Sequence, residues 1–118
     1  MVTSPQHKLK KDKTFTQALT SAPLSYTTNY ARAFKLEEIV IKASVNITET
    51  ITVTLDSVNG ANYDTVLATK DLVAQSSYVF RPSGELNLQA GDEIKIQCTN
   101  ANVTGTLYGA VKASEILQ

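Results

Sequence analysis

The stretch Leu86-Asn87-Leu88-Gln89-Ala90-Gly91-Asp92-Glu93-Ile94-Lys95-Ile96 decides the fold class of this chain. On each side of its centre, leucine or isoleucine alternates with a polar residue, and strand side chains alternate between the two faces of a sheet. At the centre, Gly91 tolerates a positive φ, and the carboxylate of Asp92 can bond to nearby backbone N–H groups. The stretch therefore predicts a short strand, a tight turn and a second strand that continues through Cys98.

The same alternation recurs in Thr50–Asp56, where threonines occupy every second position. Such one-sided alternation is typical of an antiparallel sheet with one face in water. We expect the apolar members of the two segments to be buried between two packed sheets, namely Ile51, Val53, Leu55, Ile94, Ile96 and Cys98.

The segment from Tyr30 to Ser44 contains two apolar sets that are out of phase with each other. The phase changes at Glu37-Glu38. A β-bulge at this point would return both sets to one side of the strand. A helical turn is the alternative, and it is disfavoured because the residues that follow are β-branched.

The remaining pattern also consists of short strands separated by turn residues. Strands are predicted at Tyr63–Thr69, Ser77–Arg81 and Val103–Ala113, with Asp71–Ser77 as a connection and Asn59-Gly60 as a turn. The total is seven or eight strands and no helix. This predicts an all-β fold, an antiparallel β-sandwich of jelly-roll type, over residues 25–118.

Composition limits the class of protein. The chain has 118 residues, enough for one domain, and its formal net charge is zero, which argues against a nucleic-acid-binding protein. No apolar run is long enough to cross a bilayer. The charge is uneven, because residues 1–13 carry four lysines against one aspartate, a net charge of +3, while residues 14–118 carry −3. Residues 1–24 are predicted to form an extended basic arm and an edge segment.

No set of residues suited to catalysis is evident. The single histidine, His7, lies in the basic arm, and the single cysteine, Cys98, lies in a strand pattern where a small buried side chain is expected. One histidine and one cysteine do not make a zinc site, and the aspartates stand at turns, where capping is their expected role. We therefore predict no enzymatic activity, no cofactor and no metal. Five tyrosines leave open a carbohydrate-binding surface.

The stretch from Ile51 to Val111 resembles small virion proteins of tailed bacteriophages, especially capsid decoration (cement) or head-associated proteins. The resemblance is carried by Thr52-Val53-Thr54-Leu55-Asp56-Ser57, Tyr63-Asp64-Thr65-Val66-Leu67 and Gly91-Asp92-Glu93-Ile94-Lys95-Ile96. It implies a compact β domain on the capsid surface, made in the host cytoplasm, that assembles as a homotrimer. It also implies an extended arm that binds a neighbouring subunit, and no catalytic residues.

Two functions follow from these observations. The first is a virion structural protein whose arm contacts the major capsid protein or another virion protein, through Lys8, Leu9, Lys10, Lys11 and Lys13. An arm that folds back onto its own sheet is the alternative for this segment. The second function is a carbohydrate- or receptor-binding β-sandwich of a phage fibre or baseplate, using tyrosine and asparagine side chains in loops.

Overall fold

A computed structural model describes residues 7–20, 24–99 and 103–117. These residues form an antiparallel all-β domain with one short 3-10 turn at Ala61–Tyr63. The eight strands are β1 (His7–Lys10), β2 (Lys13–Ala18), β3 (Leu24–Asn29), β4 (Phe34–Asp56), β5 (Thr65–Phe80), β6 (Leu86–Leu88), β7 (Glu93–Cys98) and β8 (Thr106–Leu117). Residues 1–6 and 21–23 of the predicted arm and edge segment lie outside the described residues.

Strand β4 connects all parts of the sheet. It has 23 residues and is paired along both of its edges. One edge pairs with β8 over residues 34–43 and then with β7 over residues 51–56. The other edge pairs with β6 over residues 34–36 and then with β5 over residues 39–55. β1 and β2 extend the sheet beyond β8, and β3 extends it beyond β7.

The sheet folds over on itself where β4 bends. The register against β5 shifts between Lys42 and Ile47 and again between Ile47 and Glu49. The first half of β4 therefore belongs to one layer, with β1, β2, β6, β8 and the end of β5. The second half belongs to the other layer, with β3, β7 and the start of β5. The layers meet at the open side, where the rings of Phe15 and Tyr26 stack with centroids 4.2 Å apart.

The hydrophobic core lies between these two layers. Five of the six predicted core side chains are buried, at 0–3% exposure, and only Leu55 is half-buried. The predicted β-bulge is confirmed, because the register of β4 against β8 shifts between Leu36 and Glu38. The bulge brings both apolar sets of β4 to the core side, and its buried members are Phe34, Leu36, Ile39, Ile41 and Ala43.

The predicted division into strands was wrong in two places. From Phe34 onward, the predicted segment that ends at Ser44 belongs to the same strand as Thr50–Asp56, and Asp71–Ser77 continues β5 instead of connecting two strands. Side-chain hydrogen bonds join β4 and β5 at the bend. The hydroxyl of Thr50 donates to the carboxylate of Asp71 at 2.8 Å, and the N–H of Ala74 donates to the hydroxyl of Thr48 at 3.1 Å. Ala74 takes φ 51°, which lets β5 follow the turn of β4.

The turn before β7 carries the chain from one layer to the other. β6 pairs with the first half of β4, whereas β7 pairs with the second half. The buried carboxylate of Asp92 bonds back to its own turn, accepting from the N–H of Gln89 at 2.9 Å. It also accepts from the N–H of Val58 at 2.9 Å, so it ties this turn to the loop between β4 and β5.

Replacing Asp92 with asparagine tests this link. The amide has one acceptor oxygen instead of two, so one of the two backbone N–H groups loses its partner. Asp92→Asn should lower the free energy of unfolding in urea by about 1–3 kcal/mol. Asp56→Asn is the matched control, because no described hydrogen bond reaches the Asp56 side chain. An equal loss in both variants would contradict the assigned role.

Gly109 permits close packing between β2 and β8. It lies opposite Phe15 in the strand register. A Cβ built on Gly109 would lie 2.0 Å from the Phe15 ring, which already stacks on Tyr26. Gly109 therefore marks a close approach between β2 and β8.

A single added methyl group at this position should separate the two strands. Gly109→Ala should destabilise the domain by about 1–3 kcal/mol because the displaced ring loses its packing. Gly84→Ala is the control, since a Cβ there meets nothing within 4 Å. Thermal unfolding of both variants gives the comparison, and an unchanged Gly109→Ala variant would refute the packing argument.

Candidate interaction surface

The described part of the predicted basic arm is an edge of the sheet. β1 pairs with residues 114–117 of β8, and β2 pairs with residues 106–111. Between them, the N–H of Lys11 donates to the carbonyl of Ala113 at 2.9 Å. The prediction that this segment leaves its own domain is therefore wrong for residues 7–13, because pairing with β8 satisfies their backbone groups. The alternative, an arm folded back onto its own sheet, describes them.

The lysines of this edge differ in their surroundings. Lys13 contacts its own domain, donating to the carbonyl of Asn29 at 2.6 Å and lying 4.7 Å above the ring of Tyr30. Lys10 has a side chain 71% exposed and a long contact of 3.9 Å with Glu37. Lys11 is also exposed. Lys8 and Leu9 belong to β1. Among the lysines of this edge whose side chains are described, Lys10 and Lys11 are therefore the accessible ones.

The outer backbone edge of β1 and β2 is not paired by any other described strand. An unpaired edge is a template for adding a strand from another chain, and lysines on such an edge oppose indiscriminate pairing. This edge therefore combines backbone hydrogen-bonding capacity with positive charge. The combination favours acidic partners.

The two layers carry opposite net charges, a feature that the sequence analysis missed. The first layer, residues 7–18, 30–43, 77–88 and 106–117, has nine basic and five acidic residues, a net charge of +4. The second layer, residues 24–29, 49–72 and 89–98, has two basic and six acidic residues, a net charge of −4. The zero net charge of the chain therefore conceals a basic layer and an acidic layer. Only the pairing of the strands assigns the charges to layers.

One ion-pair network lies on the basic layer. Glu38 contacts Arg81 at 2.6 Å and Lys112 at 3.6 Å. The hydrogen bond from Arg81 and the positive charge of both cations lower the pKa of the Glu38 carboxyl. The network is exposed, so its contribution to stability is small.

The outer face of the basic layer also presents apolar side chains. Tyr108 is 49% exposed and Val79 is 43% exposed. Val40 and Ala110 lie opposite each other between them and are half-buried. An apolar groove is lined by Val40, Tyr108 and Ala110, and Lys42 places a cation at its side. The sequence gives only a weak signal for this groove, because valine and alanine at positions such as Val40 and Ala110 are common in any strand.

Three of the five tyrosines pack inward and are not available as a binding platform. Tyr26 stacks on Phe15, and Tyr30 lies against Phe34 with ring centroids 4.3 Å apart. Tyr78 is half-buried. The exposed tyrosines are Tyr63 and Tyr108, at 64% and 49%, and they lie on different layers.

Chemical reactivity is low at the one thiol of the chain. Cys98 is 3% exposed, and burial together with the nearby charge of Glu49 raises its pKa to about 11. Within the described ranges, no three His, Cys, Asp or Glu side chains are grouped closely enough to hold a metal ion. The same residues include no helix with the length and apolar content to span a bilayer.

The free energy of unfolding should fall as the pH rises above 9. Burial is the main cause that raises the pKa of Cys98 from 9.0 to about 11 and that of Tyr30 from 10.0 to about 12. Between the unfolded and folded values, the unfolded chain binds fewer protons than the native one, so deprotonation favours unfolding. Urea unfolding from pH 8 to pH 11 should show this decline, with a shallower slope for Cys98→Ala. An identical slope in the variant would exclude Cys98 as a cause.

Among known proteins, the chain is similar to several solved structures. No protein-family model and no curated protein sequence matches the chain. The SPBc2 prophage-derived protein YomS has a TM-score of 0.49 and 14% identity, over 95% of this chain and 98% of that one. A structure of infectious bursal disease virus, Gx strain, has a TM-score of 0.47 and 11% identity, over 94% of this chain. The VP2 subviral particle of the same virus has a TM-score of 0.39 and 13% identity.

The chain spans 30% of the length of the Gx-strain chain and 32% of that of the VP2 chain. These TM-scores and identities carry no argument about function. The described residues themselves establish an all-β, sandwich-like domain with a basic edge and two oppositely charged layers.

Proposed function

We propose that this chain is a non-enzymatic virion structural protein, a capsid decoration protein that stabilises the phage head by bridging shell subunits. The observation that carries the proposal is the basic edge, where Lys10 and Lys11 are exposed beside an unpaired backbone edge. In this role the protein sits on the capsid surface after synthesis in the host cytoplasm, as a homotrimer.

Edge pairing is the means of attachment. A strand of the major capsid protein, or of another virion protein, adds to the outer side of β1 through main-chain hydrogen bonds. An acidic surface beside that strand binds Lys8, Lys10 and Lys11, while the Lys13 ammonium stays on the Asn29 carbonyl of its own domain. Each exposed ion pair contributes only about 0–1 kcal/mol, so attachment depends on several contacts acting together. The partner is a protein, and neither nucleic acid nor membrane takes part.

Particles of the virus that encodes this chain provide the test. Lys10→Glu combined with Lys11→Glu should weaken binding to heads that lack the protein by roughly tenfold, equivalent to about 1.4 kcal/mol. The heads should then lose their contents at a lower temperature than heads carrying the unchanged protein. Binding should also weaken with added salt, because screening acts within about 8–10 Å at physiological ionic strength.

Lys70→Glu is the matched control for this experiment. It makes the same charge change at an exposed residue of β5, in the acidic layer. It should leave head binding unchanged. If heads that lack the protein altogether withstand heat as well as complete heads, the proposed stabilising function is wrong.

A carbohydrate- or receptor-binding function is the second candidate. The observation in its favour is Tyr63, which is 64% exposed in the loop between β4 and β5, next to Asn62. Aromatic rings and amide side chains in exposed loops suit sugar binding. Binding to host-cell envelopes that Tyr63→Ala abolishes, with head stability unaffected, would favour this candidate over the first.

A further inference from the structure

An unneutralised cation lies on the outer face of the basic layer. Lys42 is exposed and directly opposite Tyr108 in the register of β4 and β8. Among the described residues, no carboxylate lies within ion-pair distance of its ammonium group. The apolar groove formed with Val40 and Ala110 adjoins it. This face therefore presents a positive charge beside apolar surface.

An unneutralised pair of anions lies on the outer face of the acidic layer. Asp56 and Glu93 are directly opposite each other in the register of β4 and β7. Like charges in this arrangement destabilise a sheet. Lys95 follows on the same face, yet no ion pair joins it to either carboxylate in the described part of the chain. A cation supplied from outside would relieve the repulsion.

The two faces complement each other and do not complement themselves. The basic layer carries +4 and the acidic layer −4. In a two-fold symmetric contact the same patch meets itself, so like charges would be brought together. A contact between different faces of two copies brings opposite charges together instead. The partner whose charge matches both faces is therefore a second copy of this chain.

We propose that copies of this chain associate head to tail, with the face around Lys42 and Tyr108 of one copy on the Asp56–Glu93 pair of the next. The inference concerns self-association, and it rests on the proposed function only for where the assembly acts. A head-to-tail contact forms a ring when its rotation closes and an open stack of copies when it does not, and a closed ring of three copies is the proposed homotrimer. The Lys42 ammonium neutralises the facing carboxylates, and the facing copy covers the apolar groove beside Tyr108.

Charge exchange at these positions tests the arrangement in the purified full chain. Sedimentation equilibrium should show self-association of the unchanged protein that weakens when salt is raised from about 0.05 M to about 0.5 M. Lys42→Glu alone and Glu93→Lys alone should each weaken the association about tenfold, because each places like charges across the contact. The variant that carries both changes should regain it, because the new carboxylate of one copy then faces the new ammonium group of the next.

The double variant separates this arrangement from the alternatives. In a two-fold contact made by one face alone, residue 42 meets 42 or residue 93 meets 93, so two changes would weaken the association at least as much as one. A two-fold dimer in which residue 42 meets residue 93 twice would also be rescued, and an assembly whose mass stops at two copies would therefore overturn the head-to-tail arrangement. Lys70→Glu, outside both faces, should leave association unchanged, and circular dichroism and thermal unfolding should show that every variant is folded. A double variant that stays dissociated, or an unchanged protein that is monomeric at low salt, would overturn the inference.

Separate variants test the proposed head binding and the proposed self-association, so either proposal can be wrong without the other. Lys10→Glu with Lys11→Glu addresses attachment to heads, and the changes at Lys42 and Glu93 address contacts between copies. A monomeric protein that still stabilises heads would overturn the inference and the homotrimer, and it would leave the proposed stabilisation of heads intact. A protein that associates head to tail but does not stabilise heads would overturn the proposed function and leave the inference intact.

Discussion

Pairing along both edges of β4 is the constraint on which the rest of the structure depends. This strand pairs with four others, and each of its halves is the centre of one layer. Because the backbone is continuous through the bend, the two layers cannot separate without breaking pairs on both edges. The fold is thus one sheet bent into a sandwich. The bend at residues 43–48 fixes how the layers face each other, and with it which side chains form the core.

The bend also determines the electrostatics of the surface. The chain is neutral, but nine of its eleven lysines and arginines lie in the first layer, whereas its eleven carboxylates divide five to six between the first and the second. A neutral molecule with charged layers is not subject to the general repulsion that keeps highly charged proteins apart. Its contacts instead depend on orientation. Attachment through the basic edge and contacts between opposite faces use different parts of the same charge distribution.

Three specific contacts join separate elements of the fold. The Asp92 carboxylate joins the turn before β7 to the loop after β4, and the Lys13 ammonium joins β2 to the end of β3. On the same side of the molecule, the stacked rings of Phe15 and Tyr26 require that residue 109 have no side chain. Charged groups serve as structural links at two of these three places. Lys13, which the sequence analysis assigned to partner binding with its neighbours, is one of them.

The sequence by itself determined the fold class, the strand faces and the local features. Period-two alternation identifies core residues such as Ile51 and Ile94, and the change of phase at Glu37-Glu38 identifies the β-bulge, because both are properties of a single strand. Gly91 and Asp92 identify their turn because turn formation depends on neighbouring residues in the chain. Only the tertiary structure decided which strands pair. It made β4 and β5 continuous through the bend, placed residues 7–13 on β8 and separated the charges into two layers. Each of these depends on hydrogen bonds between residues distant in the chain, and local patterns carry no information about them.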